Sequence, residues 1–381
     1  MKPRRKGRHG APEAPLPIWM RVVALAVVLG CNSSAPPEPD GTPSLSTPRA
    51  AVAASAAAPS SPAALPAAPG AAPYPPAGAP PAAPRGILGP VEADRYVKVN
   101  ARPTVKLLDP GAEPRAPLTY AFAAGKRALG ARIQARGRMT TEGSPSTPTQ
   151  VPRTVMIMDV TTGGRDPRGE VRVEGRLRSL GFDGPPDPTL HDQGVVQGMG
   201  AMFPRLEGLT MSYAASPKGH LRDFARKLPE GAEDLMNDAT TCAQPFVFMT
   251  VPLPDEPVGP GARWHVVTRL DFTGGDFLYF TTYTLEAREG NRADLVFNLV
   301  QLIGDPAVVP PLPPGIRGRF VSSESSGEGR SVIDLTSAAP VSSTVSLHSF
   351  LGMGIVLGLG DKEVSSTLQV DASYETFRPA P

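Results

Sequence analysis

A stretch in which apolar and charged residues alternate constrains the fold of this chain more than any other feature. In residues 171–180, the apolar side chains Val171, Val173 and Leu177 alternate with charged ones. Because successive side chains of a β-strand point to opposite faces, this pattern places one face of a strand in a core and the other in water. The segment therefore predicts an antiparallel sheet with one buried face.

Short apolar runs separated by Gly, Pro and Asp continue through the chain after Val91. Turns such as 289–291 contain glycine, which supplies the positive φ that hairpins require. We therefore expect a mainly β (α+β) fold, with one large curved antiparallel sheet and one or two helices packed on it. The predicted strands are 104–108, 118–122, 131–139, 153–160, 170–182, 209–214, 221–226, 246–251, 263–272, 278–287, 293–303, 318–323, 331–335, 341–350 and 365–374.

Two segments have helical rather than β patterns. In residues 190–203, apolar side chains recur at spacings typical of one helical face, with Asp187 or Thr189 as the expected cap and Pro204 as the expected end. The second segment, 232–241, is shorter and has a weaker pattern.

The predicted 190–203 helix carries the candidate lining of a ligand pocket. Methionine suits adaptable apolar pockets, and the spacing of Gly194 and Gly198 allows close approach of a neighbouring element. An ordinary hydrophobic core is the more common explanation for residues of this kind. The candidate lining residues are Val195, Met199, Met202 and Phe203.

The first quarter of the chain has a different composition. Residues 32–90 consist mostly of Ala, Pro, Ser and Gly, and so cannot bury enough apolar surface to offset the entropy of folding. At about 3.1 Å per residue in polyproline II, roughly 60 such residues reach up to about 180 Å. We expect a disordered linker over 31–90 and a β-rich domain over 91–381, or two subdomains meeting near residue 228.

The start of the chain has the features of an export signal. Residues 2–8 are strongly basic, and the apolar run 22–29 is far shorter than the roughly 20 residues that span a bilayer as a helix. The run ends in Val28, Leu29, Gly30 and Cys31, which resembles the lipobox of bacterial lipoproteins.

That resemblance implies a signal peptide over 1–30 and lipidation of Cys31, which becomes the new N-terminus. It also implies a location in the cell envelope. Asn32, at a position where aspartate directs retention in the inner membrane, implies the outer membrane, facing the periplasm or the cell surface. A plain signal peptide cut at another bond is the alternative.

Charge and cysteine content exclude two classes of protein. The chain has 38 basic and 36 acidic residues, and six of the basic ones and one acidic one precede Cys31, which leaves 32 and 35. No basic stripe with interleaved aromatic residues remains, so nucleic acid is not an expected partner. If Cys31 is lipidated, Cys242 has no partner for a disulfide, and we expect it to be a small buried residue.

Catalytic and metal-binding motifs are not found in the sequence. Residues 324–329 resemble the G-x-S-x-G motif but lack its first glycine, so we interpret them as a serine-rich hairpin. The histidines His191, His220, His265 and His348 are scattered, without the spacing of metal ligands. We therefore predict no catalytic residue, no metal and no cofactor.

The glycine run between Gly352 and Gly360 resembles a phosphate-binding loop only superficially. The third glycine of a dinucleotide fingerprint would fall at position 357, which is Leu357. The glycines more often mark bulges or close backbone approaches in a strand. We expect residues 350–359 to be buried on both faces, next to the 190–203 helix.

A second resemblance covers residues 252–264. The proline-rich approach, the Gly259 and Gly261 turn and Trp264 at the start of a strand look like an element that recurs in β-rich secreted bacterial proteins. It implies kinship of fold only.

Together these features predict a lipid-anchored envelope protein. Its domain is expected to be a non-enzymatic structural or binding module, whose partners are the membrane through Cys31 and either an apolar small molecule or an envelope protein. The alternative is an extracytoplasmic hydrolase whose site is assembled from residues distant in sequence.

Overall fold

One antiparallel sheet contains most of the described chain. The structure, a computed structural model, describes residues 86–141, 148–235, 250–271, 276–306, 316–357 and 363–379. The predicted signal peptide and linker, with Cys31, and also Cys242 lie outside these ranges. The strands are β1 Thr104–Asp109, β2 Gly125–Thr141, β3 Thr149–Gln150, β4 Thr154–Arg165, β5 Val171–Phe182, β6 Thr210–Ala215, β7 Leu221–Lys227, β8 Arg263–Asp271, β9 Asp276–Glu289, β10 Arg292–Asp305, β11 Ile316–Asp334, β12 Ser342–Leu357 and β13 Glu363–Phe377.

The strands follow one open path in the order β1-β8-β9-β10-β11-β12-β13-β2-β4-β5-β6-β7, with β3 paired to β2 beside it. Most neighbours in space are also neighbours in sequence, although helix residues lie between β5 and β6. The β9–β10 hairpin turns at Gly290, whose φ is +57°, as its composition predicts. The predicted mainly β fold class is confirmed.

Two α-helices accompany the sheet in the described residues: α1, Pro90–Ala93, and α2, Gln193–Leu206. The second predicted helix is a 3₁₀ turn, Glu233–Leu235, within the described part of its range.

The ends of α2 differ from the prediction. Its cap is Asp192, whose carboxylate accepts a hydrogen bond of 2.9 Å from the Val195 amide, so the expected cap was wrong. Asp187 instead accepts from Thr189 in the preceding turn. Pro204 lies inside the helix, so the expected end was wrong as well; the proline removes one backbone hydrogen bond but does not stop the helix.

The sheet curves strongly around its inner face. Burial, with a smaller electrostatic contribution from the nearby Tyr120, raises the pKa of both Tyr213 in β6 and Tyr283 in β9. These two tyrosines lie eight strand positions apart along the path. In a flat sheet, eight steps of about 4.8 Å would separate them by roughly 38 Å. The two regions must therefore turn towards each other, as the single main core that contains all three tyrosines also indicates.

Two extended segments, 116–123 and 250–258, cross the space that the curved sheet surrounds, and we call them the interior straps. The Tyr120 hydroxyl accepts a hydrogen bond of 3.1 Å from the Val251 amide and so joins one strap to the other. The Trp264 indole donates to a strap carbonyl at 2.9 Å. The strand predicted at 118–122 was therefore wrong, because single hydrogen bonds to turns and strand ends replace a continuous ladder.

Residues 324–329 lie in the middle of β11, so the predicted hairpin was wrong and the two strands expected on either side are one. The glycines of this segment allow neighbouring strands to pack closely and do not form a turn. A Cβ on Gly329 would lie 2.3 Å from the ring of Phe297 on the neighbouring strand. Small inward residues in β11 thus make room for large ones in β10.

Strand β12 is buried on both faces over Gly352–Ile355, although Phe350 is exposed. The glycine at 352 lies opposite a bulge in β11, in agreement with the predicted close approach. We expected helix α2 to cover this strand, but it does not. A separate cluster formed with Phe277, Ile303 and neighbouring strands buries it.

Candidate functional site

The predicted ligand-lining residues lie together on the buried face of α2. Met199 and Met202 are each 2% exposed, Phe203 is 5% exposed, and Val195 is half-buried against the same main core. The Phe203 ring lies 5.0 Å from that of Phe182 in β5. The four side chains therefore share one apolar environment between α2 and β5, and ligand binding there stays a prediction.

The outer face of the sheet carries a groove of about 310 Å³ across β10, β11 and β12. Its lining is mostly polar and includes two charged residues, Glu328 and Arg330. Arg330 pairs with Glu286 at 3.0 Å. The groove is open to solvent and most of its lining residues are exposed, whereas Phe297 in its lining belongs to the main core. The lining residues are Val296, Phe297, Asn298, Glu328, Gly329, Arg330, Thr344 and Ser346.

A row of three polar residues crosses the same face one step along the strands. Ser326 in β11 is paired with His348 in β12, and His348 is paired with Asp371 in β13. The Nδ1 atom of His348 is hydrogen-bonded to the Asp371 carboxylate, and the Phe350 ring packs edge-on at 4.8 Å from the imidazole. A hydroxyl, an imidazole and a carboxylate therefore follow one another on neighbouring strands, and we call this the Ser–His–Asp row.

The other histidines have different surroundings. His220 and His265 are 8% and 5% exposed, and His265 Nδ1 lies 3.1 Å from the Thr282 hydroxyl. Burial, aided by the positive charge of Arg102, lowers the pKa of His220 to about 4. Among the described histidines, His348 alone is hydrogen-bonded to a carboxylate.

The described ranges contain no cluster of three His, Cys, Asp or Glu side chains arranged to hold a metal ion. Within the same ranges, no helix has the length and apolar character needed to cross a bilayer.

The residues before β1 cover part of the outer face, and we call segment 88–101 the N-terminal cover. Leu88, Ala93 and Val97 pack on outward side chains of β8, β9 and β10, including Leu278 and Phe280. These strands are therefore buried on both faces at one end.

An ion-pair network fixes the cover to the sheet. Arg269 in β8 is 2% exposed and donates to Asp276 at 2.8 Å and to Asp94 of the cover at 2.6 Å. No sequence pattern indicates this network, because Asp94 lies 175 residues away from Arg269.

No protein-family model matches the sequence, and a search of curated proteins also gives no match. The sequence analysis did not predict that Ser326, His348 and Asp371 lie next to one another on neighbouring strands. The signal that reveals them is the strand register, which follows only once residues 324–329 are placed within β11.

Proposed function

We propose that the chain is a lipid-anchored protein of the bacterial cell envelope, attached through Cys31 to a membrane, with the outer membrane as its location. The support is the order of a basic segment, a short apolar run, a small residue and a cysteine. Two or three acyl chains hold a protein firmly, since each buried methylene contributes about 0.8 kcal/mol. The Ala/Pro-rich residues that follow serve as a spacer that holds the domain away from the bilayer.

Replacement of Cys31 by alanine tests the anchor. In a bacterial host grown with a labelled fatty acid, the full chain should carry label and partition with membranes, and Cys31→Ala should lose both. A Cys242→Ala variant is the matched control and should keep both. Membrane partition that is unchanged in Cys31→Ala would overturn the anchor.

The domain itself acts as a structural or binding module in this proposal. The observation that carries it is the filled interior: the two straps and the buried face of α2 occupy the inner side of the sheet. Such packing suits a rigid scaffold, which holds a surface in place. An envelope protein is one partner class that such a surface fits.

An apolar small molecule is the other partner class, and the site that fits it is the contact between α2 and β5. Only side chains that adapt, such as Met199 and Met202, would allow a ligand to enter there. The full protein should then bind a fluorescent fatty acyl probe saturably, and Met202→Trp should weaken that binding by occupying the space. Thr367→Trp, at an exposed position of β13 outside the groove, is the control and should leave the binding unchanged. If the probe does not bind saturably, the apolar ligand is excluded and the structural role remains.

A further inference from the structure

The Ser–His–Asp row has the order of groups that activates a serine as a nucleophile. The carboxylate of Asp371 engages His348 Nδ1, which fixes the ring and leaves Nε2 free to act as a base. Ser326 occupies the directly opposed position on the other side of His348. Because paired residues of antiparallel strands have Cβ atoms about 5 Å apart, the Ser326 hydroxyl lies within one side-chain rotation of the imidazole.

The surroundings of Ser326 differ on its two sides. Its partner on β10 is Val300, which packs against the apolar cluster beneath the N-terminal cover. Along the strands, the open groove begins at Glu328 and Ser346, two residues from Ser326 and His348 respectively. A reactant at Ser326 thus has an apolar wall beside it and a polar groove next to it.

We propose that the Ser–His–Asp row is the catalytic site of a serine hydrolase that cleaves carboxylic esters with small acyl groups. The acyl group lies against Val300, and the alcohol portion extends into the groove, where Asn298, Thr344 and Ser346 offer hydrogen-bond donors. This activity goes beyond the proposed anchoring and binding roles and does not depend on either.

The reaction has two balanced steps. In the first, Ser326 Oγ attacks the ester carbonyl carbon, and His348 Nε2 takes the hydroxyl proton. The bond from the acyl carbon to the alcohol oxygen then breaks, and the alcohol leaves with the proton from His348. In the second, water attacks the acyl-serine through the same base, which releases the carboxylic acid and restores the Ser326 hydroxyl.

The structure contains no hydrogen bond between Ser326 and His348 within this row, and the step therefore begins with rotation of the serine side chain. Catalytic hydrogen bonds are often long in a protein without substrate and form in the substrate complex. The imidazole needs no such movement, because Asp371 and Phe350 already hold it.

The test uses the purified full chain in detergent, with a fluorophosphonate probe for the serine and p-nitrophenyl acetate as the ester. We expect the probe to label wild-type protein and Ser326→Ala to abolish labelling and to lower kcat/KM at least about 100-fold. His348→Gln should cause a comparable loss of kcat/KM, because it removes the base that takes the Ser326 proton. Asp371→Asn should retain part of the activity, because it disturbs only the orientation of His348.

Ser373→Ala is the matched control, since Ser373 is an exposed serine on β13 outside the row and the groove. It should behave as wild type in both assays, and circular dichroism should show that every variant is folded. Labelling that survives in Ser326→Ala, or hydrolysis equal in wild type and Ser326→Ala, would overturn the assignment. Membrane partition is measured on the same preparations, so that a failure of the anchor is recognised separately.

Discussion

Arg269 is the described residue whose charge is most deeply buried. Its guanidinium is held by Asp276, itself 4% exposed, and by Asp94 of the N-terminal cover. Burying an ion pair costs desolvation free energy that only good hydrogen-bond geometry offsets. The network therefore fixes the position of the cover on the sheet more than it adds to overall stability.

Removal of Arg269 should destabilise the protein strongly. Arg269→Ala leaves the Asp276 carboxylate buried without its cation, and we expect a loss of about 3–5 kcal/mol in the free energy of unfolding. The measurement is urea denaturation followed by fluorescence. Arg319→Ala, which breaks an exposed pair with Glu363, is the control and should cost less than about 1 kcal/mol. An equal effect of the two substitutions would contradict the structural role of Arg269.

His220 should make stability depend on pH. Burial lowers its folded-state pKa to about 4, below the value of about 6.5 in an unfolded chain. Between these values the unfolded state binds a proton that the folded state does not, so stability falls as pH drops from about 6.5 to about 4. Burial lowers the pKa of His265 as well, which adds a contribution of the same sign.

The dependence is measured as the midpoint of urea denaturation across pH 4–7 for wild type and His220→Gln. The wild-type midpoint should fall more steeply towards acid than that of the variant. Parallel curves would show that His220 does not contribute.

At the scale of elements, the middle strands depend on alternating large and small residues. Phe297 in β10 fills the space above Gly329 in β11, where a Cβ would also lie 2.5 Å from the Thr344 carbonyl oxygen. A side chain at position 329 would therefore meet an aromatic ring on one side and backbone on another, and neither has much room to move. The glycine therefore allows the two strands to pack closely.

Gly329→Ala should lower the free energy of unfolding by about 1–3 kcal/mol through overpacking. Gly164→Ala is a matched control in β4, because nothing lies within 4 Å of the added Cβ. Thermal denaturation should show a lower Tm for the first variant and little change for the second. A Gly329→Ala variant as stable as wild type would mean that Phe297 moves aside freely.

The sequence predicted most elements for a physical reason. Alternation of buried and exposed side chains is local, so strands such as β5 were found close to their observed bounds. The strap at 116–123 was predicted as a strand because its apolar residues are buried, but burial there comes from distant partners. The prediction for residues 324–329 was wrong for the opposite reason. Their glycines and serines suggested a turn, but small side chains are present because the strand packs against Phe297.

Of the two candidate sites, one could be predicted from local sequence spacing and the other could not. The apolar face of α2 could be predicted, because helical spacing alone places Met199, Met202 and Phe203 together. The Ser–His–Asp row could not, because its members lie on three strands whose register depends on every hairpin between them.

At the scale of the whole molecule, the described sheet is continuous from β1 to β7 through the β13–β2 pair. Within the described residues, Ile87 bridges to Ile303 in β10, so the end of the proposed linker contacts the sheet. A division into two subdomains near residue 228 stays a prediction. In the proposed arrangement, residues before Ile87 deliver and tether the domain, and the sheet presents its outer face.

Mass spectrometry of the N-terminal peptide tests the anchor most directly. Full-length protein is expressed in a bacterial host that processes lipoproteins and is extracted from membranes. We expect a mature chain that begins at Cys31 and carries the mass of a thioether-linked diacylglyceryl group. A mature chain that begins at another residue, or an unmodified Cys31, would contradict it.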